Sequence, residues 1–332
     1  MRLADHRRTI RLVIFVLGIV GVAIAFRRAL DDSRGQVLPD LPAMAIAGLL
    51  TISGIVMAAR AWTGLFPPGH DRRALAGSLY ASQLTKYLPA GGVVQAAGQV
   101  SMSVTAGATS GAAAVAAAVW AFTSVVGGCV LSAGLVFATS LPTWARALSL
   151  LGLLAPVLLH RRVLSAAMHL AHRVVRRVPD PDNLPTQRRV LVALGWSLGN
   201  AVAGSVAYAV LLYALDDDIS FATTVCAFAL SWVVGFLVFP LPSGIGVREA
   251  VLVAIVPNAG PAALLGASLA QRLLVLASEV ALTVTNQVVV RRRRRAAGLT
   301  AAPAPDEGTG DSDGDERDAG ADGLSAHPAD AG

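Results

Sequence analysis

Apolar residues in this chain come in long blocks, and several blocks have the length of a helix that crosses a bilayer. Residues 12–26, 41–59, 105–139, 145–159, 190–215, 221–239 and 262–290 are of this kind. Two stretches break the pattern. Residues 74–104 are interrupted by Pro89 and by Gly91 and Gly92, and carry Gln83, Lys86, Gln95 and Gln99. Residues 240–249 read Pro-Leu-Pro-Ser-Gly-Ile-Gly-Val-Arg-Glu and lead into a short apolar run, 250–256. Broken backbone at membrane depth persists only where protein or water satisfies its free N–H and C=O groups. The pattern predicts an all-α polytopic membrane protein with about eight transmembrane helices and two broken, re-entrant Pro-Gly segments.

The polar positions set the orientation. Basic residues cluster at the N-terminus, at 60–73, at 160–189 and at 291–295, whereas Asp216, Asp217 and Asp218 fall between two spans. Under the positive-inside rule the basic ends are cytoplasmic, and both termini with them. Arg27, Arg28 and Arg34 would then lie outside, offset by Asp31, Asp32 and Asp40. Ala23-Ile24-Ala25 has the form of a signal-peptide cleavage site, but Arg27 and Arg28 follow at once. An uncleaved first span is therefore expected. Arg60-Ala61-Trp62 reads as a cation and an aromatic at a membrane interface.

Residues 160–178 form a different kind of helix. Val163, Ala167, Leu170, Val174 and Val178 recur at helical spacing, with Arg161, Arg162, Ser165, His169, His172, Arg173 and Arg176 on the other face. A basic amphipathic helix of this type lies on an anionic leaflet. His169 and His172 have no third ligand nearby and read as polar-face histidines.

Composition agrees. Hydrophobic residues make up 55% of the 332, and charged residues only 14%, against about 25% in soluble domains. Of 27 basic residues, 26 are arginine and one is Lys86. Residues 296–332 hold nine acids and one base, so residues 1–295 carry 26 bases against 12 acids. The expected organisation is a basic transmembrane domain over 1–295, including a cytoplasmic helix and loop at 160–189, and a disordered acidic cytoplasmic tail over 296–332. Cys129 and Cys226 lie in apolar runs and imply no disulfide framework.

The two broken segments echo one another. Leu88-Pro89-Ala90-Gly91-Gly92-Val93-Val94-Gln95-Ala96 aligns with Leu241-Pro242-Ser243-Gly244-Ile245-Gly246-Val247-Arg248-Glu249-Ala250, with one residue inserted. Paired Gly/Pro-broken segments in opposite halves point to a transporter's binding site. A helix that restarts inside the membrane presents unpaired N–H groups that attract anions, and glycine lets a headgroup approach. The intramembrane charges gather at the same places: Lys86 before the first break, Arg248 and Glu249 after the second, and Arg272 and Glu279 in the last span. Buried charges in lipid mark function by default. Seven residues separate Arg272 from Glu279, about 10 Å along a helix, so each needs a partner on another segment. Asn286 continues the same face. The five charges sum to one excess cation, which suits a phosphate. The candidate substrate-binding set is Gln83, Lys86, Pro89, Gly91, Gly92, Gln95, Pro242, Gly244, Gly246, Arg248, Glu249, Arg272 and Glu279, with Gln99 as a further neutral donor.

At these residues the chain resembles a known family. Lys86-Tyr87-Leu88-Pro89 followed by glycines, and the run Pro240 to Glu249, are similar to the two signatures of the lysylphosphatidylglycerol synthase transmembrane region family. Its members are flippase-like proteins related to the membrane half of the multiple-peptide-resistance factor. Arg60-Ala61-Trp62 also fits, and the resemblance covers roughly residues 10–292. It implies the flippase-like part without the cytoplasmic aminoacyltransferase domain, and so does not imply synthesis of lysyl lipid.

The function expected is a lipid translocase of the bacterial inner membrane, moving a phospholipid or polyprenyl-linked lipid between leaflets. Lys86, Arg248 and Arg272 would hold the phosphate. Glu249 and Glu279 would balance them, or contact a cationic headgroup or a coupling proton. The alternative is a membrane scaffold for a glycosyl- or aminoacyltransferase. An intramembrane lipid-modifying enzyme with Glu249 or Glu279 as base is a third reading. No Walker loop, zinc spacing or nucleophile elbow is present, so no catalytic residue, metal or cofactor is assigned. The partners expected are a lipid with an anionic headgroup and a membrane-associated transferase, with no nucleic acid.

Overall fold

The computed structural model describes residues 38–87, 91–138, 141, 143–174, 184–216, 218–237, 246–256 and 258–296. The expected first span at 12–26, Pro89, the run 240–245 with Pro242 and Gly244, and the acidic tail lie outside these residues. Contacts divide the chain into one unit up to Arg292 and a second from Arg293, of which only the end of the last helix, through Ala296, is described.

Among the described residues all regular structure is helical. In chain order the α-helices are α1 (Leu41–Gly64), α2 (Arg72–Gln83), α3 (Gly91–Thr105), α4 (Ser110–Ser132), α5 (Thr143–Leu151), α6 (Arg161–Val174), α7 (Gln187–Tyr213), α8 (Phe221–Leu237), α9 (Val247–Ile255) and α10 (Pro261–Ala296). Tight 3-10 turns extend α2 through Leu84–Tyr87, α4 through Ala133–Phe137 and α5 through Gly152–Leu159. Local chemistry starts several helices. Asp40, Asp71 and Thr109 accept from the first-turn amides of α1, α2 and α4, which satisfies donors that a helix start leaves free.

Four helices are long and apolar enough to cross a membrane: α1, α4 with its extension, α7 and α10. The run at 221–239 is helical through Leu237, its last described residue. The run at 145–159 splits between α5, which ends at Leu151, and a 3-10 turn around Pro156. Proline has no N–H and clashes with the preceding turn, so the α-helix cannot continue through it.

Small residues bring the long helices together. A Cβ at Gly54 of α1 would lie 3.0 Å from the Asn200 side chain of α7, and Gly199 of α7 faces Met57 of α1. A Cβ at Gly127 of α4 would stand 3.1 Å from the Leu198 backbone nitrogen of α7. Close backbone approach of this kind is how helices associate where lipid supplies no hydrophobic drive. The α1 pairings with α7 run in opposite senses along the chain, so the two helices are antiparallel.

That antiparallel packing sorts the charges. At one end lie Asp40, where α1 starts, and Asp216, where α7 ends; the Asp216 carboxylate accepts from the Gly260 amide ahead of α10 at 3.1 Å. At the other end lie Arg60 over the Trp196 ring, Arg188 and Arg189 at the start of α7, and Arg161, whose amide donates to Gln187. Arg73 joins them through its carbonyl, which accepts from Asn286 of α10.

Two apolar cores occupy the two ends. The core at the arginine end centres on Trp62, Leu75, Leu79 and Val190; the core at the aspartate end centres on Tyr208, Leu211, Leu264 and Ala267. Trp62 corrects its sequence reading. It is fully buried, its indole donates to the Leu75 carbonyl at 3.0 Å, and it meets Phe66 and Trp120 edge-on. It is a packing centre, because the α1–α2 turn folds α2 over it. Among the described side chains of α6, Leu164 is buried and Val163, expected on the apolar face, is exposed.

Candidate functional site

The first broken segment builds an antiparallel helical hairpin. Ser78 of α2 meets Ser103 of α3 hydroxyl to hydroxyl at 2.9 Å, and a Cβ at Gly98 would lie 3.6 Å from that of Ser82. The hairpin's 3-10 turn carries Lys86 and Tyr87. The second broken segment places α9 against α8, where Gly235 leaves room for the Arg248 side chain: a Cβ at Gly235 would be 2.7 Å from Arg248 Cγ.

Helix α10 is the partner of both segments. Its exposed face is apolar, with Leu273, Leu276, Val280 and Val284 at helical spacing. Its inner face carries Arg272 and Glu279. These two do not pair with each other. The Glu279 carboxylate takes the Lys86 ammonium on one oxygen and the Tyr87 hydroxyl on the other, the latter at 3.3 Å. Arg272 donates to Glu249 of α9 at 2.7 Å. Glu249 has a second task, because its other oxygen accepts from the Gly246 amide at 2.8 Å, at the start of α9. The anion held by this helix start is therefore the chain's own carboxylate. The expectation that its free amides meet a headgroup changes accordingly.

Both ion pairs line one cavity of about 640 Å³. Its position follows from the elements that form it. Helix α1 lends Thr51–Ala58 to the cavity, between Ala47 in one apolar core and Ala58–Phe66 in the other; α7 lends Asn200–Ser205, between Val190 and Ala193 in one core and Ala207–Leu212 in the other. The cavity thus lies between the two cores, midway along the helices. A volume of this size is ordinary for a small-molecule site.

The predicted residues fall into three groups. Gln83, Lys86, Gly92, Gln95, Gln99, Arg248, Glu249, Arg272 and Glu279 line the cavity. Gly91 starts α3 and Gly246 starts α9 without lining it; Gly246 sits at φ +85°, the left-handed region that suits glycine. Pro89, Pro242 and Gly244 lie outside the described residues. Asn286 stays on the face of α10 that meets α2 and its extension, and there donates to the Arg73 carbonyl at 3.4 Å without lining the cavity.

The lining residues that sequence reasoning did not assign to the site include four that bear on its chemistry. Tyr87 completes the coordination of Glu279, Trp232 lies under the Arg248 guanidinium at 6.0 Å, and Asn200 and Gln271 project from apolar helices. Amide side chains inside apolar runs were the available signal for the last two.

Charge accounting singles out Arg248. Lys86 and Arg272 each have a carboxylate, while Arg248 makes no salt bridge among the described residues and its buried Nε has no hydrogen-bond partner. A guanidinium that makes no salt bridge, in a cavity with three cations against two carboxylates, attracts an anion and offers it paired N–H donors. Among the described residues no three His, Cys, Asp or Glu side chains converge as a metal site requires. No protein-family model matches the chain, and no curated protein matches it.

Proposed function

We propose that this protein is a lipid translocase of a bacterial inner membrane, and that the midway cavity receives a phosphate-bearing headgroup. The observation that carries this reading is Arg248, a guanidinium with no salt bridge among the described residues, in a cavity shared by both broken segments and the last helix. The phosphate would meet Arg248, while Lys86 and Arg272 stay tied to Glu279 and Glu249 and keep the two segments docked on α10.

In this reading the chain crosses the membrane about eight times. The α2–α3 and α8–α9 pairs are the walls of the two re-entrant segments, the arginine end is cytoplasmic, and acyl or polyprenyl chains stay in the bilayer beside the cavity. The likeness of both segments to the lysylphosphatidylglycerol synthase transmembrane region family supports the same reading. The test is reconstitution of the purified full chain into vesicles holding a tail-labelled anionic phospholipid or polyprenyl phosphate. Label reaching the opposite leaflet faster than in protein-free vesicles, with the gain lost in R248M, is the expected result. Rates equal to those of empty vesicles for every such lipid would refute it.

A further inference from the structure

Two amide side chains in the cavity are left incomplete. Among the described residues, the Nε2 of Gln99 of α3, a residue 2% exposed, has no hydrogen-bond partner, and the Oε1 of Gln271 of α10, a residue 5% exposed, has none. Both side chains line the cavity, one from the first hairpin and one from the last helix. Buried polar atoms in folded proteins are almost always hydrogen-bonded, so an orphan donor and an orphan acceptor on two residues that line one cavity call for a ligand that draws them out and supplies their complements.

Together with Arg248 they define a chemistry. The cavity offers one uncompensated cation, one unmet donor and one unmet acceptor. A phosphodiester neutralises the cation. A hydroxyl both donates and accepts, so it satisfies Gln271 and Gln99 whichever way each amide is turned. A choline group has no N–H or O–H to give Gln271. An ammonium group would donate, but it adds a positive charge to a site that already holds three cations against two carboxylates.

We infer that the lipid headgroup taken by this cavity is a monoanionic phosphate ester joined to an uncharged, hydroxylated moiety, a polyol or a sugar, with Gln99 and Gln271 reading the hydroxyls. This rests on the translocase reading for its location and names the substrate class of the same site. Polyol phospholipids and polyprenyl phosphoryl sugars share this chemistry.

The experiment titrates the full chain in neutral detergent and follows the fluorescence of Trp120 and Trp232, both of which line the cavity. The probes are dioctanoyl phosphatidylglycerol, farnesyl phosphoryl mannose, dioctanoyl phosphatidylmethanol and dioctanoyl phosphatidylethanolamine. Phosphatidylmethanol keeps the phosphodiester charge and has no hydroxyl. At least one hydroxylated probe should bind about tenfold more tightly than phosphatidylmethanol, the usual cost of leaving buried polar groups unmatched. Whichever of the two binds more tightly identifies the source. In Q99M/Q271M that advantage should fall to about one. The assignment is overturned if phosphatidylmethanol binds as tightly as both hydroxylated probes, if phosphatidylethanolamine binds tightest, or if no probe binds. The wild-type comparison decides the matter even where the double variant does not fold. Selective binding without transport in vesicles would overturn the translocase reading and leave this assignment standing. Transport that ignores the hydroxyl would do the reverse.

Discussion

Lys86 and Glu279 stand 193 positions apart in the chain and form an ion pair inside the molecule. The pair fastens the turn of the first hairpin to α10, and Glu279 is 2% exposed. Removing one partner of such a pair strands a buried charge at a cost of about 3–5 kcal/mol, whereas removing both costs far less. K86M and E279L should each lower the thermal unfolding temperature of the detergent-solubilised protein. K86M/E279L should recover most of that loss. Losses in the double variant equal to the sum of the two singles would show that the residues act independently and that the pair does not hold the hairpin.

Glu249 joins the start of α9 to Arg272, and Gly246 allows that start to form. Alanine at 246 would have to adopt φ +85°, at about 1–2 kcal/mol. G246A should therefore destabilise the protein, and E249Q, which frees Arg272, should do so more strongly. Thermal unfolding of the two variants against wild type checks both, and an unchanged G246A would remove the argument from backbone geometry.

Arg248 is the cation available to a ligand. R248M should abolish the lipid transfer seen in vesicles while the protein elutes as a single folded species. R248K keeps charge without the planar fork and should retain a fraction of the rate. Loss of the Trp232 ring is worth about 0.5–2 kcal/mol at such a site, so W232L should weaken lipid binding several-fold without abolishing it. Wild-type transfer by R248M would move the site elsewhere.

Gly127 lets α4 lie against the backbone of α7. Valine there would press on Leu198 and force the helices apart, with an overpacking penalty of about 1–3 kcal/mol. Gly195 of α7 has nothing near its missing Cβ, so G195A serves as the control. G127V should unfold at lower temperature than wild type, with G195A unchanged or slightly more stable.

The charge segregation also predicts sidedness. With Cys129 and Cys226 replaced by alanine, a cysteine at Asp218 should react with a membrane-impermeant maleimide added to intact cells. A cysteine at Arg188 should react only after the membrane is opened. The reverse pattern would invert the proposed orientation.

Much of this was legible along the chain. Apolar run length marked out α1, α4, α7 and α10, since a helix rising 1.5 Å per residue must stay apolar to cross the hydrocarbon. The Pro-Gly interruptions fall between α2 and α3 and between α8 and α9, and the scarcity of charge made five ions conspicuous. Periodicity alone also showed that Arg272 and Glu279 are too far apart to pair. The role of Trp62 was not legible, because the same aromatic beside an arginine serves at an interface or in a core, and only the fold of α2 over α1 decides between them.

The amino-acid sequence by itself determined the helical class, the apolar spans, the two breaks and the set of charges that must be neutralised, because each depends on local composition and spacing. Tertiary structure decided the partners. Lys86 takes Glu279, Arg272 takes Glu249, Glu249 accepts at the start of α9, and Arg248 is left without a salt bridge among the described residues. Pairing between segments is set by how helices pack, through small residues such as Gly54, Gly127 and Gly235, and no linear spacing contains that information.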